Sequence, residues 1–148
     1  MKIIDVECLI VDKLYPYVVI QTDEGITGFG ECFRRAPFVT KAAIETVYKD
    51  ILIGTDPLEI SNIWHKLFNA SSVAGPYGSL LTAVSGIDTA LWDIKLKEKN
   101  SSLSEEFGGK KKNFVDLYAS SMRRDMEPIE EAERAQYFYE MGFKYYKM

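Results

Sequence analysis

The 148-residue sequence is poor in cysteine, histidine and proline, with two, one and five respectively. Two thiols, Cys8 and Cys32, each inside a strand-like run, do not make a disulfide scaffold, and buried free thiols are expected. The single histidine, His65, follows Trp64 on a helical stretch and has no partner at metal-ligand spacing. No run approaches the ~18 apolar residues of a membrane span. Met1-Lys2 leads straight into a strand pattern without an apolar leader, so a cytoplasmic location is expected. A net charge of −4 offers no electrostatic attraction to nucleic acid or to an anionic membrane. The only basic run, Lys110-Lys111-Lys112 after Gly108-Gly109, reads as a solvated loop. Gly25, Gly28 and Gly30 fit neither the dinucleotide nor the P-loop spacing; a turn and close strand packing account for them.

What is present is an ordinary globular composition, 47% hydrophobic and 27% charged, in a chain long enough for one domain with a real core. Residues 3–11 alternate, which predicts a half-buried strand with Ile4, Val6, Cys8 and Ile10 on one face and Asp5 and Glu7 on the other. Tyr17 to Thr22 predicts a second strand. Asp23-Glu24-Gly25 is a turn with glycine placed for positive φ, and Ile26 to Cys32 returns as a third strand. The period then changes from two to about 3.6. Ala43, Ile44, Val47 and Ile51 predict one helix. Asp56 as N-cap, Pro57 at the first helical position and Glu59 as capping-box partner predict a second, burying Ile60, Ile63, Trp64 and Leu67. Leu80, Val84, Ile87, Leu91 and Ile94 form the stripe of a third. Three strands followed by three helices is an α+β layout closing near residue 110.

Residues 111–148 follow another logic. Phe114 to Ala119 predicts a strand and Pro128 to Met141 a helix. Gly142 then suits the left-handed closing position, with Phe143 as its apolar contact, and a strand begins at Lys144. Strand, helix, strand is a βαβ unit, the repeat of a parallel sheet or barrel.

The ordered segments TDEGITGFGE, IGTDPLEISNIWHKL, AVSGIDTALWDIKLK, FGG and YASS resemble the enolase superfamily, and most closely its mandelate racemase and muconate-lactonizing branch. The segment Lys97 to Glu106 departs from the family pattern, which usually carries a glycine and a pair of leucines there. The resemblance implies an N-terminal capping domain (1–110) and the opening strand–helix–strand of a (β/α) barrel (111–148). It implies a Mg²⁺-dependent enzyme that removes the proton beside a carboxylate, as a sugar-acid dehydratase, racemase or cycloisomerase. It further implies a homo-oligomer and a small carboxylate substrate. Lys147 matches the first lysine of the family's Lys-x-Lys motif. The second lysine and the carboxylates that bind Mg²⁺ would fall beyond Met148, leaving no metal ligand here and an inactive fragment.

The resemblance also implies two capping-domain loops that cover the substrate; matched by position these are Lys13 to Tyr17 and Phe33 to Phe38, which makes Tyr15, Phe33, Arg34 and Arg35 candidate contacts. Barrel sites lie at the C-terminal ends of the strands. The loop after the first barrel strand therefore adds Ser121, Arg123 and Arg124, the arginines suited to bidentate carboxylate binding; the alternative is a solvated loop with Arg124 paired to Asp125 or Glu127. Asp88, Asp93 and Glu31 are read as structural or interface carboxylates. The competing reading is a stand-alone, non-catalytic α+β binding or assembly module.

Overall fold

The computed structural model describes residues 1–75 and 77–148, which form two compact units, Met1–Gly108 and Gly109–Met148. In the first, β1 (Ile3–Val11), β2 (Tyr15–Thr22) and β3 (Thr27–Glu31) make an antiparallel sheet in the order β1-β2-β3. The α+β class is as expected, but β1 differs in detail. Its pairing slips between Ile3, opposite Thr22, and Asp5, opposite Gln21. This bulge inserts one residue, so Ile3 is buried and Ile4 is turned outward at 55% exposure. Beyond it Val6, Cys8, Val18 and Ile20 share the buried face. The β1–β2 turn is tight, with positive φ at both Asp12 and Lys13, and Leu14 N–H donates to the Val11 carbonyl at 3.1 Å. That turn places Tyr15 and Pro16 inside β2, two residues earlier than the strand pattern indicated.

The helical layer comprises α1 (Pro37–Ala43), a π-helical turn (Ile44–Tyr48), α2 (Lys49–Leu52), α3 (Ile60–Ala70), α4 (Ser79–Lys99) and a single turn, α5 (Leu103–Glu106). The π turn holds one residue more than an α turn. The buried stripe therefore runs Ala43, Ile44, Tyr48, Leu52, while Val47 is exposed. Helix α3 begins at Ile60 rather than Pro57, because Asp56 closes a turn instead of capping a helix. Its carboxylate accepts from Leu58 N–H at 2.9 Å, and its carbonyl accepts from Glu59 N–H. Ile60, Ile63 and Leu67 are buried as expected, and Trp64 only partly. Helix α5 lies in the segment that departs from the family pattern. It is started by the reciprocal box of Ser102 and Glu105, in which Ser102 N–H donates to Glu105 at 2.7 Å and Glu105 N–H to Ser102 at 3.2 Å.

The stripe of α4 is buried from Val84 to Ile94 as predicted, and α4 packs very closely on β3. A Cβ on Gly30 would collide with the Gly86 carbonyl oxygen and lie 2.8 Å from Ala90 N; one on Gly28 would lie 2.6 Å from Ile94 Cγ1. Absent side chains on β3 and small ones on α4 let strand and helix backbones touch.

Both rims of this sheet are closed by lysine–carboxylate pairs four residues apart. On β1, Cys8 N–H donates to Glu45 at 3.2 Å and Lys41 Nζ donates to the Cys8 carbonyl. On β3, Phe29 N–H donates to Asp93 at 2.9 Å and Lys97 Nζ donates to the Thr27 carbonyl at 2.7 Å. In each clasp the two side chains also pair with one another, Lys41–Glu45 at 2.8 Å and Lys97–Asp93 at 2.7 Å. Free edge groups are what another chain's strand would seek.

The second unit holds β4 (Tyr118–Ser120), α6 (Pro128–Glu140) and β5 (Tyr145–Lys147), with β4 and β5 parallel. Strand β4 is shorter than expected. It pairs only through Tyr118–Ser120 with Tyr145–Lys147, and Phe114, Val115 and Leu117 are exposed. Helix α6 closes as its sequence indicates. Gly142, at φ 96°, donates to the Tyr139 carbonyl at 2.9 Å, and Phe143 N–H to the Phe138 carbonyl at 3.1 Å. The rings of Phe138 and Phe143 meet edge to face at 5.8 Å, completing the Schellman arrangement.

Candidate functional site

Parallel pairing sets Tyr118 opposite Tyr145, Ala119 opposite Tyr146 and Ser120 opposite Lys147. Tyr146 faces α6: its hydroxyl donates to Glu131 at 2.7 Å and its ring stacks on Phe138 at 5.9 Å. By strand alternation Lys147 therefore points to the opposite face, beside Ser120 and toward Tyr118, whose ring centre lies 5.9 Å from Lys147 Nζ. Burial, and next the bond to Glu131, push the Tyr146 phenol above its ordinary pKa.

Ser121 is placed differently from Ser120. It is buried, its hydroxyl donates to Glu131 at 2.9 Å, and its N–H donates to the Lys147 carbonyl at 3.0 Å. Glu131 thus ties the end of β4 to β5 from the α6 side. Ser120, Glu131 and Tyr146 were missing from the sequence-derived set. Only Ser120 had a usable signal, since it shares strand parity with Tyr118. Arg123, not Arg124, makes the local pair: its Nε and terminal nitrogen reach the two oxygens of Asp125 at 3.2 and 3.1 Å, and that fork holds the Asp125 carboxyl below the usual carboxylate range. Arg124 has no ion-pair partner among the described residues.

In the first unit, Tyr15 is half-buried within β2 opposite Val11, not on a loop. Phe33, Arg34 and Arg35 are exposed on the connection from β3 to α1, which Ala36 enters in the left-handed conformation at φ 53°. At the end of β3, Tyr17 donates to Glu31 at 3.2 Å, and the carboxylate's charge raises the Tyr17 pKa. Asp93 serves the β3 clasp, as its structural reading anticipated. Among the described residues no three His, Cys, Asp or Glu side chains converge to hold a metal ion.

The profile of the mandelate racemase / muconate lactonizing enzyme N-terminal domain matches residues 10–108. The chain belongs to that family. A D-galactarolactone cycloisomerase of Agrobacterium fabrum is 44% identical over 114 residues, 76% of this chain and 30% of the relative. A D-galactonate dehydratase of Variovorax paradoxus is 33% identical over 119 residues, 80% and 31% of the two chains. The chain thus spans about a third of the length of these curated relatives. Among solved structures, an enolase-superfamily member from Polaromonas sp. JS666 superposes with a TM-score of 0.85 at 29% identity, covering 100% of this chain and 44% of that one. An enolase from Pantoea ananatis with bound D-gluconate and Mg gives 0.81 at 29% identity, covering 98% and 35%. No helix among the described residues is long and apolar enough to cross a membrane.

Proposed function

We propose that residues 1–148 are the N-terminal part of a Mg²⁺-dependent, homo-oligomeric enzyme that removes the proton beside the carboxylate of a sugar acid. On this reading Met1–Gly108 is the capping domain, and Gly109–Met148 opens the (β/α) barrel. The observation that carries it is the parallel β4–α6–β5 unit, which sets Lys147 and Ser120 side by side on the strand face away from the helix. Strand ends of this kind bear the chemistry in barrel enzymes, and the named relatives act as a cycloisomerase and a dehydratase.

Lys147 acts as the accessory cation of the base. Ser120 shares its face, while Arg124, and Arg123 once released from Asp125, supply charge for the substrate carboxylate. Ser121 contributes through its bond to Glu131, which holds the two strand ends in register. Tyr15, Phe33, Arg34 and Arg35 belong to the capping segments that choose the substrate. On the same reading the Mg²⁺ ligands lie outside residues 1–148, and this chain alone is inactive.

The test pairs the intact mass of the native polypeptide with a turnover assay. The polypeptide in its own cells is expected to be far heavier than 148 residues and to convert sugar acids with Mg²⁺. The isolated 148-residue chain is expected to show no turnover on D-galactonate, D-gluconate or D-galactarolactone. A native product of 148 residues would overturn the proposal in favour of a stand-alone module, and turnover by the purified short chain would overturn the assignment of the chemistry to missing residues.

A further inference from the structure

A groove of about 370 Å³ runs between the start of α3 and the outer face of α4, entirely within the first unit. Leu58, Ile60, Trp64 and Trp92 give it apolar walls, and Asp88 and Lys95 line it as well. Trp64 and Trp92 are the only tryptophans of the chain. Such a volume lies near the small end of ligand-binding cavities, ~300–1,000 Å³, and suits one long side chain better than a bulky cofactor.

The two charged groups in the groove are in opposite situations. Lys95 is satisfied: its Nζ lies 2.7 Å from Glu106 and 4.5 Å from the centre of the Trp92 ring. Asp88 has neither a hydrogen-bond nor an ion-pair partner among the described residues, although it is half-withdrawn from water. Burial alone raises its pKa, with no cation opposing the effect. A carboxylate kept against apolar walls without a partner costs stability, and an incoming cation would offset that cost. The cation best suited to two indoles and a carboxylate is a guanidinium, which stacks on aromatic faces and offers a planar fork of donors. Lys95 over Trp92 already shows a cation held against an indole of this groove.

We propose that this groove is a docking site for an arginine side chain presented by a partner protein segment, its guanidinium pairing with Asp88 against the indole surfaces while its stem lies on Leu58 and Ile60. The lining residues all belong to the first unit.

Because both tryptophans line the groove, their emission reports on it without any label. The probe is the peptide acetyl-Leu-Arg-Leu-amide, titrated into the full 148-residue chain. The control is the same peptide with citrulline, which keeps the shape and loses the charge. A saturable change in emission with the arginine peptide, at least tenfold weaker with citrulline, is expected. Asp88→Asn is expected to reduce the arginine response to the citrulline level while the circular dichroism spectrum stays that of the wild type. No saturable response, or equal responses to the two peptides, overturns the proposal using the wild-type chain alone, whatever the variant does. Sedimentation over a tenfold concentration range adds a further arm. A dimer that Asp88→Asn dissolves would make the occupant a second copy and overturn the partner assignment.

Discussion

Replacing Gly30 by alanine is expected to cost the first unit a large part of its stability. The added Cβ would collide with the Gly86 carbonyl oxygen and lie 2.8 Å from Ala90 N and 3.0 Å from Gly86 C. All three are backbone atoms of α4, so no rotamer change can relieve the contact, and β3 and α4 must move apart by on the order of 1 Å. A gap of that size forfeits up to about half of each dispersion contact it opens. Overpacked core positions typically cost ~1–3 kcal/mol, and a clash with backbone alone belongs at the upper end, ~3 kcal/mol. For a domain near 100 residues this lowers the midpoint of thermal unfolding by roughly 12–24 °C, at ~4–8 °C per kcal/mol. The assay is thermal unfolding followed by circular dichroism at 222 nm. Gly25→Ala serves as the control, since its Cβ meets nothing within 4 Å and only its φ of +81° is strained; ~1 kcal/mol is expected there. If Gly30→Ala melts within about 5 °C of the wild type, or no lower than Gly25→Ala, the argument from close approach is wrong.

Other consequences are open to similar tests. Burial pushes the Cys8 thiol up to about 11 and the Cys32 thiol up to about 12, so both stay protonated at pH 8; iodoacetamide should label neither in the native chain and both in guanidinium, and rapid native labelling would contradict their burial. Asp88 has a folded pKa above its unfolded one, so its ionisation as the pH rises through the folded value weakens the fold. Asp88→Asn should therefore melt higher than the wild type at pH 7, and the difference should vanish as the pH falls below ~4; a variant less stable at pH 7 would refute the sign. Removing both clasp carboxylates, as Glu45→Ala with Asp93→Ala, frees the Cys8 and Phe29 N–H groups and should produce concentration-dependent association in size-exclusion chromatography that neither the wild type nor Gly25→Ala shows. A chain ending at Gly108 should keep the cooperative melt of the first unit, and an unfolded spectrum would contradict its compactness.

Local signals in the sequence were read well where they decide structure locally. The stripe from Val84 to Ile94 on α4, the Asp23–Gly25 turn and the Gly142–Phe143 helix stop each depend on residues within a few positions of one another. The bulge at Ile4 and the π turn after Ala43 do not. Each shifts the pattern by one residue on one side of it: before the bulge Ile3 turns inward in place of Ile4, and after the start of the π turn Tyr48 and Leu52 are buried while Val47 lies outside. Asp56-Pro57 carries the same residue types for a turn as for a cap, and only the first hydrogen bond distinguishes them. At the candidate site, the strand that holds Lys147 was legible from the residues after Gly142. The contrast between Ser120 and Ser121 rested on strand parity beyond the point where the strand was taken to end. The role of Glu131 needs the fold, because it joins residues ten and fifteen positions away.

The paired clasps on β1 and β3 also bear on quaternary structure. On each rim one N–H and one C=O are engaged by the chain's own side chains, which works against lengthening the sheet of the first unit strand by strand. Self-association through that sheet is then expected to stack faces, with Ile4, Leu9, Val11 and Phe29 among its exposed apolar side chains. A patch that meets its own copy face to face closes on a two-fold axis and stops at a dimer, where an open strand edge would run on into a fibre.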